Sequence, residues 1–433
     1  MSQPSIERAP PTWRQVAAVV TGNGLEFYDF LTFSFFAVQI GETFFPHKDP
    51  TISLLSSLAT FGAGFLTRPV GAFFIGRFAD RAGRRPAMLL TFGLMGFAIT
   101  GIALTPGYHS IGIAAPILAV FFRLVQGFAL GGEVGPSTAY LLEAAPQHRR
   151  GFYASLQYMG QDTAVLCAGL MGVLLSNLMS ADSLRDYGWR IALLVGTLIV
   201  PFALVLRRGL AETLTPAEPA AEGAARVKTP IPWRVVILGF TLLAAGTTAN
   251  YVLDYMTTYA ATTLHMATKL AFGATVAVGL AGLTCDMLGG ILSDRFGRRP
   301  VMLVFWVGLL LAVGPCFWLI AHIRNLLALM AATATLSALL NLSTSAMLTS
   351  VTESLPMQVR SGALSLVYAL AISVFGGSAQ FNVAALTNIL HSELTPALYM
   401  GVGVLIGLVA ILMMRESAPV RVGEPLAVPA TAA

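Results

Sequence analysis

The chain has 433 residues, of which 56% are hydrophobic and 11% charged, with a mean hydropathy of +0.74. A soluble globular protein carries about 25% charged residues, so this composition excludes an ordinary soluble domain and indicates a membrane protein. The net charge of +5 could suit nucleic-acid binding, but the basic residues cluster between apolar segments, which is typical of membrane topology.

Apolar stretches of about 20 residues or more are long enough to cross a bilayer core about 30 Å thick. We predict twelve transmembrane helices, with spans at 16–45, 51–78, 87–106, 111–143, 151–178, 187–207, 233–263, 269–293, 300–321, 325–353, 361–389 and 396–415. The sequence therefore predicts an all-α membrane protein.

The topology follows from the positions of the basic residues. Most Lys and Arg residues fall in segments on the side of both termini, so the positive-inside bias predicts cytoplasmic termini. The first 15 residues are polar, and no short apolar stretch with a cleavage site follows them. We therefore expect the first span to remain in the mature protein.

The first span carries two acidic residues within GNGLEFYDF at 22–30. Glu26 and Asp29 occupy neighbouring positions of one helical face, with Asn23 one turn before Glu26. An acidic residue at a helix centre in lipid costs about 2.5 to 3.5 kcal/mol, so both are predicted to face a cavity. Two carboxylates in a low-dielectric cavity resist being charged together, which makes them candidates for proton binding.

The fourth span carries a polar stripe that includes Arg123, Gln126, Glu133 and Ser137. Arg123 is a candidate contact for a substrate carboxylate, because a guanidinium can donate two parallel hydrogen bonds. The alternative is an ion pair of Arg123 with Glu133 or Glu26 that joins the first and fourth helices. On an adjacent strip of the same helix, glycine repeats every four residues, at Gly127, Gly131 and Gly135. This spacing of small residues allows close helix packing.

Further polar residues lie within the later spans. They are Gln157, Gln161 and Asp162 in the fifth, Asn250, Tyr251, Asp254 and Tyr255 in the seventh, and Asn341, Tyr368 and Gln380 near the end. The three cysteines have no C-x-x-C spacing and the six histidines lie far apart, so we expect neither a disulfide framework nor a metal site.

The two halves of the chain repeat. Residues 76–86 read GRFADRAGRRP and residues 290–300 read GILSDRFGRRP, and EAAPQHRRG at 143–151 resembles ESLPMQVRSG at 353–362. Residues 208–232 are rich in Ala, Pro and Glu without apolar periodicity. We predict a six-helix bundle at 1–207, a cytoplasmic linker at 208–232, and a second six-helix bundle with a short tail at 233–433.

The doubled G-x-x-x-D-R-x-G-R-R loop resembles the signature of the major facilitator superfamily. GNGLEFYDF, RPVGAFFIGRFADRAGRR and RLVQGFALGGE resemble its metabolite:proton symporter family. FLTRPVGA at 65–72, FYASLQ at 152–157 and GALSLVYALAISVFGG at 362–377 are similar to the citrate and tricarballylate branch. The resemblance implies two pseudo-symmetric six-helix bundles around a central cavity, with a proton gradient as the driving force and no cofactor.

The resemblance also implies roles for particular residues. It assigns the loops after the second and eighth helices to a cytoplasmic gate, with Asp80, Arg81, Arg84, Asp294 and Arg298; the alternative is that these arginines only anchor topology. The candidate substrate-binding residues are Asn23, Tyr28, Arg123, Gln126, Gln157, Gln161, Tyr251 and Asn341. The candidate proton-coupling residues are Glu26, Asp29 and Glu133.

Together with the resemblance, these residues imply a monomeric secondary transporter that takes up a small organic carboxylate with protons across a bacterial inner membrane. The candidate substrates are citrate, tricarballylate or a dicarboxylate. Asp162, Asp254 and Asp286 would repel a trianion, so a zwitterion of the proline or betaine type is the alternative.

Other classes fit less well. An exporter of the same fold would carry G-P-x-x-G-G in the fifth span, which is absent. An enzyme is not expected, because Phe27 stands where G-x-G-x-x-G needs its third glycine and no Ser, His and Asp cluster appears. A sensing receptor would need longer cytoplasmic segments.

Overall fold

The computed structural model describes residues 13–82, 84–131, 141, 145–197, 232–355, 364 and 366–422, and these residues are almost entirely helical. The predicted linker lies outside them except for residue 232, as does Glu133, and of Asp80 and Arg84 only the backbone is described. Nine helices in the described part are long and apolar enough to cross a membrane.

We number the transmembrane helices α1 to α12. In the first half they are α1 (Trp13–Phe35, continued by Ala37–Phe44), α2 (Pro50–Leu66, continued by Arg68–Ala82), α3 (Arg84–Leu104), α4 (Ala114–Gly131), α5 (Arg150–Leu178) and α6, described over 189–197. In the second half they are α7 (Trp233–Asp254, continued by Met256–Thr262), α8 (Thr268–Phe296), α9 (Arg298–Ile323), α10 (Leu326–Ser354), α11 (Leu366–Leu390) and α12 (Thr395–Met413).

Three helices predicted as continuous are interrupted, at Phe36, Thr67 and Tyr255. The break in α2 has a clear cause, because Pro69 has no N–H and its ring would clash with the carbonyl of Phe65. The Thr67 hydroxyl stabilises the break by donating to the Leu124 carbonyl of α4 at 2.7 Å.

Glycines allow α2 and α4 to pack with their backbones in contact. A Cβ on Gly127 would overlap the Gly64 carbonyl, and a Cβ on Gly131 would overlap the Arg68 carbonyl. The close packing predicted from the four-residue spacing is confirmed at these two positions.

Gly127→Ala is expected to destabilise the protein by about 1–3 kcal/mol, because the added methyl group forces α2 and α4 apart. The matched control is Gly93→Ala in α3, where an added Cβ meets nothing within 4 Å. Thermal unfolding of the detergent-purified variants measures the difference, and equal midpoints for the two variants would contradict this account of the packing.

The two halves meet along α5 with α8 and α2 with α11. Gly290 of α8 lies against Gly151 of α5, and Gly62 of α2 lies against Gly377 of α11. The Ser34 hydroxyl of α1 also donates to Gln380 of α11 at 2.6 Å. These contacts hold the two halves together around one central region.

Candidate functional site

A central cavity of about 70 Å³ lies between the two halves. Small-molecule sites usually measure about 300–1,000 Å³, so the centre is contracted in this structure. Its wall comes from α1, α5, α7, α10 and α11, with the residues Phe27, Leu31, Tyr158, Gln161, Asp162, Val165, Leu243, Gly246, Thr247, Asn250, Tyr251, Asp254, Asn341, Thr344, Met347, Tyr368 and Ile372.

The polar part of this wall is acidic. Asp162 and Asp254 both line the cavity, and the Asn250 amide donates to the Asp254 carboxyl at 3.2 Å. Tyr368 hydrogen-bonds Gln161. No lysine or arginine is among the described residues that line the cavity.

Two buried arginines lie behind an aromatic wall next to the cavity. The Arg123 guanidinium lies 4.2 Å from the ring centre of Phe30 and 5.0 Å from that of Phe61, and it donates to Gln126. The Arg68 guanidinium lies 4.1 Å from the ring centre of Phe65, and Tyr251 is its polar neighbour on the cavity side. Tyr251 therefore connects the cavity to the positive charge of Arg68.

The structure brings together three of the predicted substrate-binding residues, Gln161, Tyr251 and Asn341, at the cavity. Five others lie away from its wall: Asn23, Tyr28, Arg123, Gln126 and Gln157. The Asn23 amide donates to the Gln157 carbonyl at 3.2 Å, and the Tyr28 hydroxyl donates to the Ala192 carbonyl at 3.3 Å.

Glu26 and Asp29 are buried, so they avoid lipid as predicted, but neither lines the central cavity. The reason is the rotation of α1, which turns Phe27 and Leu31 towards the cavity. Asp29 lies against Gly196 of α6 instead. Their part in proton coupling stays a prediction, as does that of Glu133, which lies outside the described residues.

The predicted gate residues of the second half form a contact between the halves. The Asp294 carboxylate accepts hydrogen bonds from the backbone N–H groups of Gly151 and Phe152, both at 2.9 Å, at the start of α5. Arg298 donates to Asp294 at 2.6 Å and to Glu353 at 3.2 Å. Arg81 is exposed.

The turn that presents Asp294 depends on Gly297, whose φ of +102° favours glycine. We call this end of the bundle the terminal face; it contains Trp13, the start of α5, the turn between α8 and α9, and Val422. The opposite end is the far face.

The far face has a larger opening. A crevice of about 710 Å³ lies between the ends of α1 and α2 on one side and those of α7 and α11 on the other, lined in part by Glu42, Tyr255, His265 and Glu393. The structure thus joins the halves at the terminal face and leaves a crevice at the far face.

Sequence reasoning missed three polar residues of the cavity wall, Tyr158, Thr247 and Thr344. Thr344 follows Asn341 by three positions and so shares its helical face, which is the signal that could have identified it. Tyr158 and Thr247 carry the same signal, because each stands three positions before a predicted polar residue, Gln161 in α5 and Asn250 in α7.

Two six-helix bundles around a central polar cavity define a transporter fold. The sequence profile of the Major Facilitator Superfamily matches residues 21–376, so the chain belongs to this superfamily. It is a multi-pass membrane transporter and not an enzyme.

Curated relatives cover nearly the whole chain. A citrate-proton symporter of Klebsiella pneumoniae is 36% identical over 399 residues, which are 91% of this chain and 90% of the relative. An alpha-ketoglutarate permease of Escherichia coli (strain K12) is also 36% identical, over 387 residues covering 87% of this chain and 89% of the relative.

A solved structure supports the fold. The partially occluded inward open conformation of the xylose transporter XylE from E. coli matches with a TM-score of 0.72 at 18% identity, covering 92% of this chain and 97% of that one. At this identity the match concerns the fold alone.

Proposed function

We propose that this transporter takes up a small organic carboxylate, of the citrate, tricarballylate or dicarboxylate class, together with protons. The observation that carries the proposal is the 36% identity to a citrate-proton symporter over 91% of the chain. The protein would act as a monomer in a bacterial inner membrane with both termini in the cytoplasm.

The buried arginines support an anionic substrate. Charges interact over longer distances out of water, so Arg68 and Arg123 create a positive field beside Tyr251 although aromatic rings separate them from the cavity. A substrate carboxylate would approach Tyr251, which lines the cavity next to Arg68. Gln161 and Asn341 would supply further hydrogen bonds.

The gate contacts support transport by alternating access. With cytoplasmic termini, the contact of Asp294 with Gly151 and Phe152 closes the cytoplasmic side, and the far-face crevice opens to the outside. This arrangement corresponds to a state that receives substrate from outside.

A zwitterion is the second candidate substrate. Asp162 and Asp254 line the cavity and could face the cationic group of a proline-like or betaine-like solute. A carboxylate substrate requires instead that these acids be protonated or neutralised.

Transport into liposomes tests the proposal. Purified protein would be reconstituted, an inward proton gradient imposed, and uptake of labelled citrate, tricarballylate, 2-oxoglutarate and betaine compared, with a protonophore as the control. We expect gradient-driven accumulation of a di- or tricarboxylate. Accumulation of betaine alone would favour the zwitterion, and accumulation that survives the protonophore would contradict proton coupling.

Tyr251→Phe is expected to raise the KM for the carboxylate about tenfold, because it removes the cavity hydroxyl that would donate to the substrate and leaves the ring in place. Concentration-dependent initial uptake rates measure the change. Tyr28→Phe is the matched control, since its hydroxyl bonds the Ala192 carbonyl away from the cavity. Equal KM values for the two variants would remove Tyr251 from the binding site.

A further inference from the structure

Two carboxyl groups from opposite halves meet where α5 crosses α8. Asp162 of α5 lies against Gly282 of α8, one turn before Asp286, so the Asp162 and Asp286 carboxyl groups lie next to each other. Asp286 is 0% exposed and Asp162 is 7% exposed. The pair therefore lies out of water at the interface between the halves.

The surroundings supply little compensation for negative charge. The Thr344 hydroxyl of α10 donates to one Asp286 oxygen at 2.8 Å. The other oxygen, Oδ2, meets no donor group in the described part of the chain. Asn341 also points towards this place, beside Gly282.

None of the titratable groups that face the pair in the described part of the chain is basic. They are Tyr158 of α5, Asp254 of α7, Cys285 of α8 and, through Gln161, Tyr368 of α11. The ion pairs seen among the described residues all lie elsewhere. Two ionised carboxylates in contact without a cation would repel strongly, so the arrangement requires one proton between them.

We propose that Asp162 and Asp286 form a shared-proton site that binds the transported proton only while α5 and α8 are in contact. This inference rests on the proposed proton coupling and identifies the residues that perform it. An O–H bond forms on one carboxyl, the other carboxylate accepts the hydrogen bond, and no further reactant is needed.

The site couples the proton to the motion of the halves because its two members belong to different halves. When the terminal face opens, the carboxyls separate, each is hydrated, and the shared proton is released. Without the proton, their repulsion disfavours the closed terminal face. Glu26 and Asp29 differ in this respect, since both lie on α1 and move together.

A proton can reach the pair through the central cavity. Asp162 lines the central cavity, whereas Asp286 is fully enclosed. A proton that enters from the far face would reach Asp162 first and stay while the terminal face is closed. It would leave when that face opens.

Distance measurements against pH test the pair without any substrate. Spin labels would replace the exposed residues His148 and Arg415, one from each half at the terminal face, in a background with all three cysteines changed to serine. In the parent protein we expect rising pH to increase the open population by about 5- to 150-fold, the usual range of coupling between sites.

Asp162→Asn and Asp286→Asn are expected to abolish this pH dependence, because an amide cannot share a titrating proton. Asp49→Asn is the matched control, because Asp49 lies exposed on the far face and away from the pair, so the same change there should leave the dependence intact. A parent protein without pH dependence, a dependence that survives Asp286→Asn, or its loss in Asp49→Asn as well would overturn the proposal.

Transport provides a second readout that separates the pair from the function as a whole. In liposomes, Asp286→Asn should keep substrate exchange within about twofold while proton-driven accumulation falls at least about tenfold, because Asp286 does not line the cavity. Equal loss of substrate exchange and of proton-driven accumulation would show that the pair has only a structural role. If the parent protein accumulates no carboxylate, the proposed function fails, while the distance measurement still decides the proton site.

Discussion

Asp294→Asn is expected to open the terminal face and shift the population towards the open state by about 100-fold. The carboxylate accepts hydrogen bonds from the Gly151 and Phe152 N–H groups and from Arg298. An amide keeps one acceptor oxygen and turns an NH₂ donor towards the remaining donors. Hydrogen bonds to charged groups contribute about 1.5–3 kcal/mol each, and the loss of one or two accounts for the shift.

The distance between labels at His148 and Arg415 measures this opening. Asp49→Asn is the matched control, because Asp49 also accepts from a backbone N–H at a helix start, that of Thr51 at 2.9 Å, but on the far face and within one half. An unchanged distance distribution in Asp294→Asn would show that this contact does not hold the gate.

The sequence was sufficient for features that depend on spacing within one helix. The glycine repeat predicted the close approach of α4 to α2, and Gly127 and Gly131 make that contact. The break in α2 was also readable in principle, because Pro69 excludes a continuous helix. The duplicated loop also singled out Asp294, which contacts the other half at Gly151, while its role in a gate stays a prediction.

Features that depend on how a helix is turned, or on which helix it meets, could not be read from one sequence. Periodicity places Glu26 and Asp29 on neighbouring positions, but packing turns Phe27 and Leu31 of the same helix to the cavity. Asp162 and Asp286 lie in different halves, so no local pattern relates them. Their contact arises only from the packing of α5 on α8.

The position of Arg123 shows the same limit. Its helical face was predicted, but the sequence could not show that Phe30, Phe33 and Phe61 would surround its guanidinium. Aromatic faces attract a cation through the ring quadrupole, which helps to offset the loss of water around the charge. A buried arginine can therefore act on a substrate without lining its cavity.

Arg123→Met is expected to leave the protein folded and to lower kcat/KM for carboxylate uptake about 100-fold. Methionine fills much of the same space among the aromatic rings, and Arg123 takes part in none of the ion pairs seen among the described residues, so its replacement is expected to cost little stability. The positive charge beside Arg68 and Tyr251 is lost, however. A 100-fold loss corresponds to about 2.7 kcal/mol, which one charge interaction in a low-dielectric site can supply.

Uptake rates together with thermal unfolding of the same preparations separate the two roles that the sequence allows for Arg123. A structural ion pair predicts that Arg123→Met unfolds at a lower temperature than the parent protein, because the acidic partner is left buried without its cation. A substrate role predicts normal unfolding with lost uptake. Arg185→Ala is the control for removal of a positive charge, since Arg185 forms only exposed ion pairs with Asp182 and Asp186 on the far face and should transport normally. Normal uptake by a folded Arg123→Met protein would leave Arg68 as the cation that attracts the substrate.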